Sequence, residues 1–183
     1  MKSVENKIQK AHISILMVCH GNICRSPMAE FVFNALAAQS GLSSRVRAAS
    51  AATSDEEIWN GVGNPVYPPA RDELARHGIS CEGKRAVQLC RQDYGKYDYL
   101  IGMDDANVRN MRRILGGDSA EKIFKMMEFA GDGWKLVSAG KREMERAADV
   151  ADPWYTRDFG ATWRDVEAGC RGFLSFLRET YGW

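Results

Sequence analysis

Ile13-Ser14-Ile15-Leu16-Met17-Val18-Cys19-His20-Gly21-Asn22-Ile23-Cys24-Arg25-Ser26-Pro27 decides how this chain is read. Residues 13–18 form a short, almost wholly apolar run, the pattern of a parallel strand buried on both faces. Ser26 and Pro27 have the chemistry of a helix start, an N-cap hydroxyl followed by a first-turn proline. Between strand and helix lies a loop of one cysteine, five residues and an arginine. Such a loop can turn its backbone N–H groups inward as an anion-binding nest, backed by the positive end of the helix dipole. Gly21 and Asn22 are residue types that tolerate the left-handed backbone a curl requires. The field that binds an oxyanion also favours the thiolate form of Cys19, a nucleophile. Arg25 can grip two phosphate oxygens with its fork, which a lysine cannot do. Ser26 can donate its hydroxyl to the sulfur and stabilise it as a leaving group. A bare C-x5-R pattern also arises by chance, and Cys19 would then be a small hydrophobe at a strand end. The strand before it, the Gly-Asn within it and the Ser-Pro after it are separate observations on the catalytic side.

Outward from this motif, strands and helices alternate. Met28, Val32, Ala35 and Leu36 supply an apolar stripe to the helix, and Val46 to Ser50 reads as a second strand. A glycine- and proline-rich loop from Thr53 to Tyr67 leads into a short helix from Pro68 that stops at Gly78. Tyr97 to Met103 is a third strand, followed by a helix from about Asp105 that Gly116-Gly117 terminates. Lys122 to Met126 is a candidate fourth strand. The polar stretch from Asp132 to Val150 contains no clear strand. The last helix, from about Asp158, carries Phe159, Trp163, Val166, Cys170, Phe173, Leu174 and Leu177 on one face. This order predicts a small parallel α/β sandwich, with ligands beyond the carboxyl ends of its strands.

Composition bounds the function. The 183 residues are 45% hydrophobic and 27% charged, as in globular proteins rather than disordered ones. Lys+Arg of 25 against Asp+Glu of 24 leaves a net charge of +1, which argues against a nucleic-acid or lipid-surface partner. No apolar run approaches a membrane span, and Met1 to Lys10 lacks the apolar core of a signal peptide, so a cytoplasmic location is expected. The five cysteines form no regular framework and would be free thiols in a reducing compartment. With three scattered histidines and no Cys-x2-Cys pair, no metal site is expected.

Val18 to Glu30 closely resembles the signature of the low molecular weight protein tyrosine phosphatases. The likeness continues through Ser50-Ala51-Ala52-Thr53-Ser54, His77-Gly78-Ile79, Met103-Asp104-Asp105-Ala106-Asn107 and Asp152-Pro153-Trp154-Tyr155, nearly the whole chain after its first dozen residues. The resemblance implies Cys19 as nucleophile, Arg25 as phosphate ligand and Asp152 as general acid. His20, Gly21, Asn22, Ile23, Cys24 and Ser26 complete the phosphate-binding loop. Asn22, Ser26, Ser50 and Asp104 resemble a hydrogen-bond network that holds the loop curled, although Asp104 alone also reads as a helix N-cap. The implied fold is a single three-layer α/β/α domain over residues 1–183, with a four-stranded parallel sheet and the phosphate-binding loop after its first strand. Residues 1–11 are expected to be a loose N-terminal segment. The implied reaction is a metal-independent, cofactor-free hydrolysis of phosphotyrosine and aryl phosphates through a phosphocysteine. The expected partner is a tyrosine-phosphorylated protein, with the chain itself a monomer or weak dimer.

Several positions leave alternatives open. Asp152 could be an exposed turn residue, with Asp149 and Asp158 as competitors for its role. Trp154 and Tyr155 beside it could wall an aryl phosphate, and Trp59 could form the opposite wall or pack in the core. Cys24 is either a buried thiol or a trap for the oxidised nucleophile. Where the family often places a histidine against the loop asparagine, this chain has Lys84. His77 is expected to pack against or cap its helix, and His20 to point outward. The loop at 58–64 and the stretch at 132–148 look longer than usual in the family. Rival functions are an arginine phosphatase, against which Ile23 argues, and a thiol-dependent arsenate reductase drawing on Cys81 and Cys90. A binding or redox-sensing module without turnover is a third, and it would have no use for Asp152.

Overall fold

The computed structural model describes residues 10–183, so residues 1–9 of the expected loose segment lie outside the described residues; Lys10 forms an ion pair with Asp98. Four parallel strands form one sheet in the order β2-β1-β5-β6, with β1 Ile13–Cys19, β2 Val46–Ala52, β5 Tyr99–Gly102 and β6 Ile123–Lys125. The pleat of β1 sends Ile13, Ile15, Met17 and Cys19 into one core and Leu16 and Val18 into another. Burial on both faces is why its sequence is almost continuously apolar.

On the first face lie α1 (Arg25–Gln39), α2 (Pro68–Arg76) and the long C-terminal helix α7 (Phe159–Tyr181). Its centre is aromatic: the Phe173 ring sits 4.7 Å from Phe129, 5.4 Å from Tyr99 and 5.5 Å from Phe33. On the second face, α4 (Asp105–Leu115) buries Val108, Met111 and Leu115 against Leu16, Leu100 and Ile123. Gly102 permits that approach, since a Cβ there would meet Val108 Cγ2 at 2.9 Å. The α/β sandwich is thus three-layered with a four-stranded parallel sheet. No helix among the described residues is long and apolar enough to cross a membrane.

Several boundaries differ from the sequence reading. The second strand runs on to Ala52, whereas the third and fourth are trimmed to Tyr99–Gly102 and Ile123–Lys125. The stripe of α1 uses Phe33 and Ala37, while Ala35 is only half-buried. The loop after β2 holds a two-stranded hairpin of β3 (Ile58–Trp59) and β4 (Val62–Gly63). A four-residue helix α3 (Asp93–Lys96) precedes β5, and the polar stretch folds into α5 (Gly133–Ser138) and turns. All four sheet strands point their carboxyl ends the same way, which gathers Cys19, Ser50, Asp104 and the approach to Asp152 at one edge.

Candidate active site

Cys19 is the last residue of β1, and its buried Sγ lies 3.0 Å from Ser26 Oγ and accepts from the Asn22 N–H at 3.3 Å. Asn22 alone of the loop takes the left-handed backbone, at φ 56°. Its amide is fully used: Nδ2 donates to Ser26 Oγ and Ser50 Oγ, both at 2.8 Å, and Oδ1 accepts from the Val87 N–H at 3.0 Å. Gly21 is not left-handed, contrary to the reading above. Its missing Cβ instead gives room to Glu57, whose Cγ would stand 3.2 Å from a side chain placed there. Ser26 is also not the N-cap. The helix starts at Arg25, its cap position is Cys24 with no side-chain cap, and the Ser26 hydroxyl is taken up by the sulfur and Asn22. The N–H groups of the first turn of α1 therefore keep no side-chain acceptor, the arrangement that suits an oxyanion.

Arg25 is buried and pinned by two carboxylates: Nη1 donates to Asp104 Oδ2 at 2.6 Å, and Nη2 lies 2.9 Å from Asp152 Oδ2. Burial works against its charge, but Cys19, Asp104 and Asp152 outweigh it and hold the guanidinium above its ordinary range. Asp104 is also the N-cap of α4, its Oδ1 accepting from the Asn107 N–H at 2.6 Å, and its partners are Arg25 and Asn107 rather than Asn22, Ser26 or Ser50. Asp152 likewise caps a short helix, α6 (Pro153–Thr156), through Oδ1 to the Trp154 N–H. Its competitors are occupied elsewhere. Asp149 pairs with Lys125, and Asp158 caps α7 through the Ala161 N–H.

A cavity of about 440 Å³ opens over these groups, lined by Cys19, His20, Gly21, Ile23, Cys24, Arg25, Asp104, Asp152, Trp154 and Tyr155. His20 is exposed, with Nε2 3.0 Å from Glu56 Oε2. Trp154 tilts toward Tyr67 at 6.5 Å, and Arg157 lies over its indole at 5.3 Å. Trp59 does not line this cavity, nor does it pack in the core. It is 71% exposed, because the hairpin turn at Asn60-Gly61 and the strand pleat half-bury Ile58 and turn its neighbour out. Cys24 is buried and its thiol is pushed up to about 12, by burial first and then by Cys19 and Asp152. Cys81 and Cys90, the reductase candidates, line no part of the cavity, and Cys170 is core.

Lys84 does not reach Asn22. It stands one step back, with Nζ 3.0 Å from the Ser50 carbonyl and 3.1 Å from Glu30 Oε2, while Ser50 Oγ donates to the same Glu30. His77 stacks on Trp163 at 3.5 Å and meets Glu73, away from the site. The sequence reading does not assign Glu57, Asn107 and Asn110, which line the cavity, or Glu30, which lies under the loop through Ser50 and Lys84. The signal available for Glu30 was its place one helical turn after Ser26, which aims it back under the loop. Among the described residues no cluster of His, Cys, Asp or Glu could hold a metal ion.

Known proteins resemble this chain over nearly all its length. Residues 14–181 match the family described as low molecular weight phosphotyrosine protein phosphatase. The low molecular weight protein-tyrosine-phosphatase YfkJ of Bacillus subtilis is 35% identical over 167 residues, which are 91% of this chain and 97% of the relative. The human low molecular weight phosphotyrosine protein phosphatase is 33% identical over 168 residues, 91% of this chain and 96% of the relative. The crystal structure of YfkJ superposes with a TM-score of 0.76 over 91% of this chain and 95% of that one. SP-PTP from Streptococcus pyogenes, 34% identical, gives 0.70 over 89% and 91%. With a curled Cys-to-Arg loop at the end of its first strand and relatives of this kind along nearly all its length, the chain belongs to the low molecular weight phosphotyrosine protein phosphatase family.

Proposed function

We propose that this protein hydrolyses phosphotyrosine in proteins, and aryl phosphates generally, through a phosphocysteine intermediate. The observation that carries the reading is the Arg25 guanidinium, buried between Asp104 and Asp152 in the cavity that holds the Cys19 sulfur. The phosphoryl group takes the loop N–H groups and the Arg25 fork, which frees Asp152 from its ion pair beside the leaving oxygen. Cys19 Sγ attacks phosphorus, the S–P bond forms and the P–O bond to the phenol breaks. Asp152 supplies the proton that the departing oxygen takes. The Asp152 carboxylate then accepts a proton from water as its oxygen attacks phosphorus. The S–P bond breaks, and the thiolate leaves onto the Ser26 hydroxyl and the Asn22 N–H. Trp154 and Tyr155 stand at the mouth as an apolar wall for the aryl ring, and the burial of Cys19 favours a long aryl phosphate over a short alkyl one. A cytoplasmic location belongs to the same reading, because a reducing compartment keeps Cys19 and the other free thiols reduced.

Cys19→Ser tests it. The variant should lose turnover of p-nitrophenyl phosphate and phosphotyrosine peptide and still bind inorganic phosphate in calorimetry, since the anion is held by the loop and Arg25. Turnover near that of the unmutated protein would remove Cys19 from the mechanism.

A further inference from the structure

Lys125 ends β6 with a side chain only 1% exposed, an unfavourable place for an ammonium unless it is paired. Its Nζ lies 2.9 Å from Asp105 Oδ1 and 2.9 Å from Asp149 Oδ1, and both carboxylates are half-exposed. Those two partners outweigh the desolvation that opposes its charge, so the ammonium titrates above its ordinary range. The Asp105 N–H donates to the same Asp149 oxygen at 3.2 Å. Asp105 is the first residue of α4, directly after the Asp104 that grips Arg25.

Asp149 stands three residues before Asp152, and every residue between them is fastened. The Val150 N–H donates to the Met103 carbonyl at 2.9 Å, and the Ala151 N–H to Asp165 Oδ2 at 2.9 Å. Asp152 itself ends on Arg25. The start of α4 therefore holds both ends of this segment, one through Asp104 and Arg25, the other through Asp105 and Lys125.

We propose that Lys125 is a positioning residue for the reaction: by tying Asp149 to the start of α4, it fixes where the Asp152 carboxyl stands relative to Arg25 and Cys19. The proposal rests on Asp152 being the general acid. Without the ammonium, the Asp105 and Asp149 carboxylates lose the cation between them and repel, and the segment carrying Asp152 shifts away from the cavity. A displacement of about 1 Å costs little in binding and much in proton transfer.

The test is a series of substituted phenyl phosphates run on the unmutated enzyme, Lys125→Met, Asp149→Ala and Asp152→Asn. Lys125→Met and Asp149→Ala should each lose roughly 10–100-fold in kcat/KM on phenols that leave poorly, with inhibition by inorganic phosphate little changed and a smaller loss on nitrophenols. Their plots of log kcat/KM, which reports the cleavage of the phenol, against leaving-group pKa should steepen toward that of Asp152→Asn. Asp149 is half-exposed, so its variant carries the test even if Lys125→Met does not fold. Unchanged slopes in both, beside a steep one for Asp152→Asn, would overturn the positioning role and leave the acid in place. An equal loss on every substrate would do the same. An unchanged slope in Asp152→Asn would remove the acid itself and the proposal with it.

Discussion

Asn22 carries the curl of the loop, spending one left-handed residue and its whole amide on it. A strained backbone persists only where its surroundings over-determine it, and here Ser26, Ser50 and the Val87 N–H do so. The Glu30–Lys84 pair backs Ser50, so a charged pair supports the network at the position where the family often places a histidine and this chain has Lys84. Cys24 sits in the same loop under different electrostatics. Its thiol is raised from the ordinary cysteine range to about 12, so at neutral pH it is protonated and its thiolate fraction grows about tenfold per pH unit. Capture of an oxidised Cys19 needs the Cys24 thiolate, so capture should accelerate as pH rises and lose to over-oxidation as pH falls. After a peroxide pulse, the share of lost activity that dithiothreitol restores should therefore climb between about pH 6 and 9. A share that stays flat, or Cys24→Ser recovering as fully as the unmutated protein, would make Cys24 a bystander. The loop residues were legible in sequence because their chemistry is local. The Lys84 pair was not, since Glu30 lies far from it along the chain and the two meet only through packing.

Strand β6 shows how the long 132–148 stretch is used. It is an edge strand, and an open edge invites pairing with another chain. Here its outward groups are taken by side chains: the Ile123 N–H by Asp118, the Ile123 carbonyl by Arg142 at 2.7 Å, and the Lys125 N–H by Glu128 at 2.7 Å. Arg142 comes from that stretch, lies 4.0 Å above the Phe124 ring and pairs with the buried Glu128 at 3.1 Å. Arg142→Met should lower stability to urea by about 1–3 kcal/mol, since Glu128 loses its ion pair and the carbonyl its donor. It should also raise light scattering on warming and leave the leaving-group slope unchanged. A stability change within about 0.5 kcal/mol would put Arg142 with ordinary surface residues. Nothing in the local pattern of 132–148 announced this, because an arginine over a ring and a strand edge is a contact made in space. The exposure of Trp59 was hidden for a related reason: strands of two residues are too short to show an alternating pattern, so which of Ile58 and Trp59 turns inward is decided by where the hairpin sits.

Across the whole molecule, the reacting groups gather at the carboxyl edge of the sheet, while the aromatic core fills the space under α7. The parallel sandwich was legible because β1 is apolar on both faces and α7 repeats its apolar residues at helical spacing over 23 residues. Placing Asp152 on Arg25 needed the fold, since 127 positions separate the two numbers and the end of β5 and the start of α7 bring them together. This separation of core from site predicts that stability and chemistry can be changed independently. Phe173 is fully buried and its ring neighbours Phe33, Tyr99, Phe129 and Phe176, so it joins α1, β5 and α7 in one contact set. Phe173→Ala removes most of that surface and leaves a cavity that rigid neighbours refill only partly, at about 3–5 kcal/mol. For a chain of this size each kcal/mol moves Tm by roughly 2–4 °C, so a fall of roughly 6–20 °C is expected. Phe173→Leu keeps more of the volume and should fall less. At temperatures well below either Tm, both variants should keep the leaving-group slope of the unmutated enzyme, because none of the rings packed on Phe173 lines the cavity. A steepened slope in folded Phe173→Ala, with no matching change in Phe173→Leu, would show that the core and the acid segment move together.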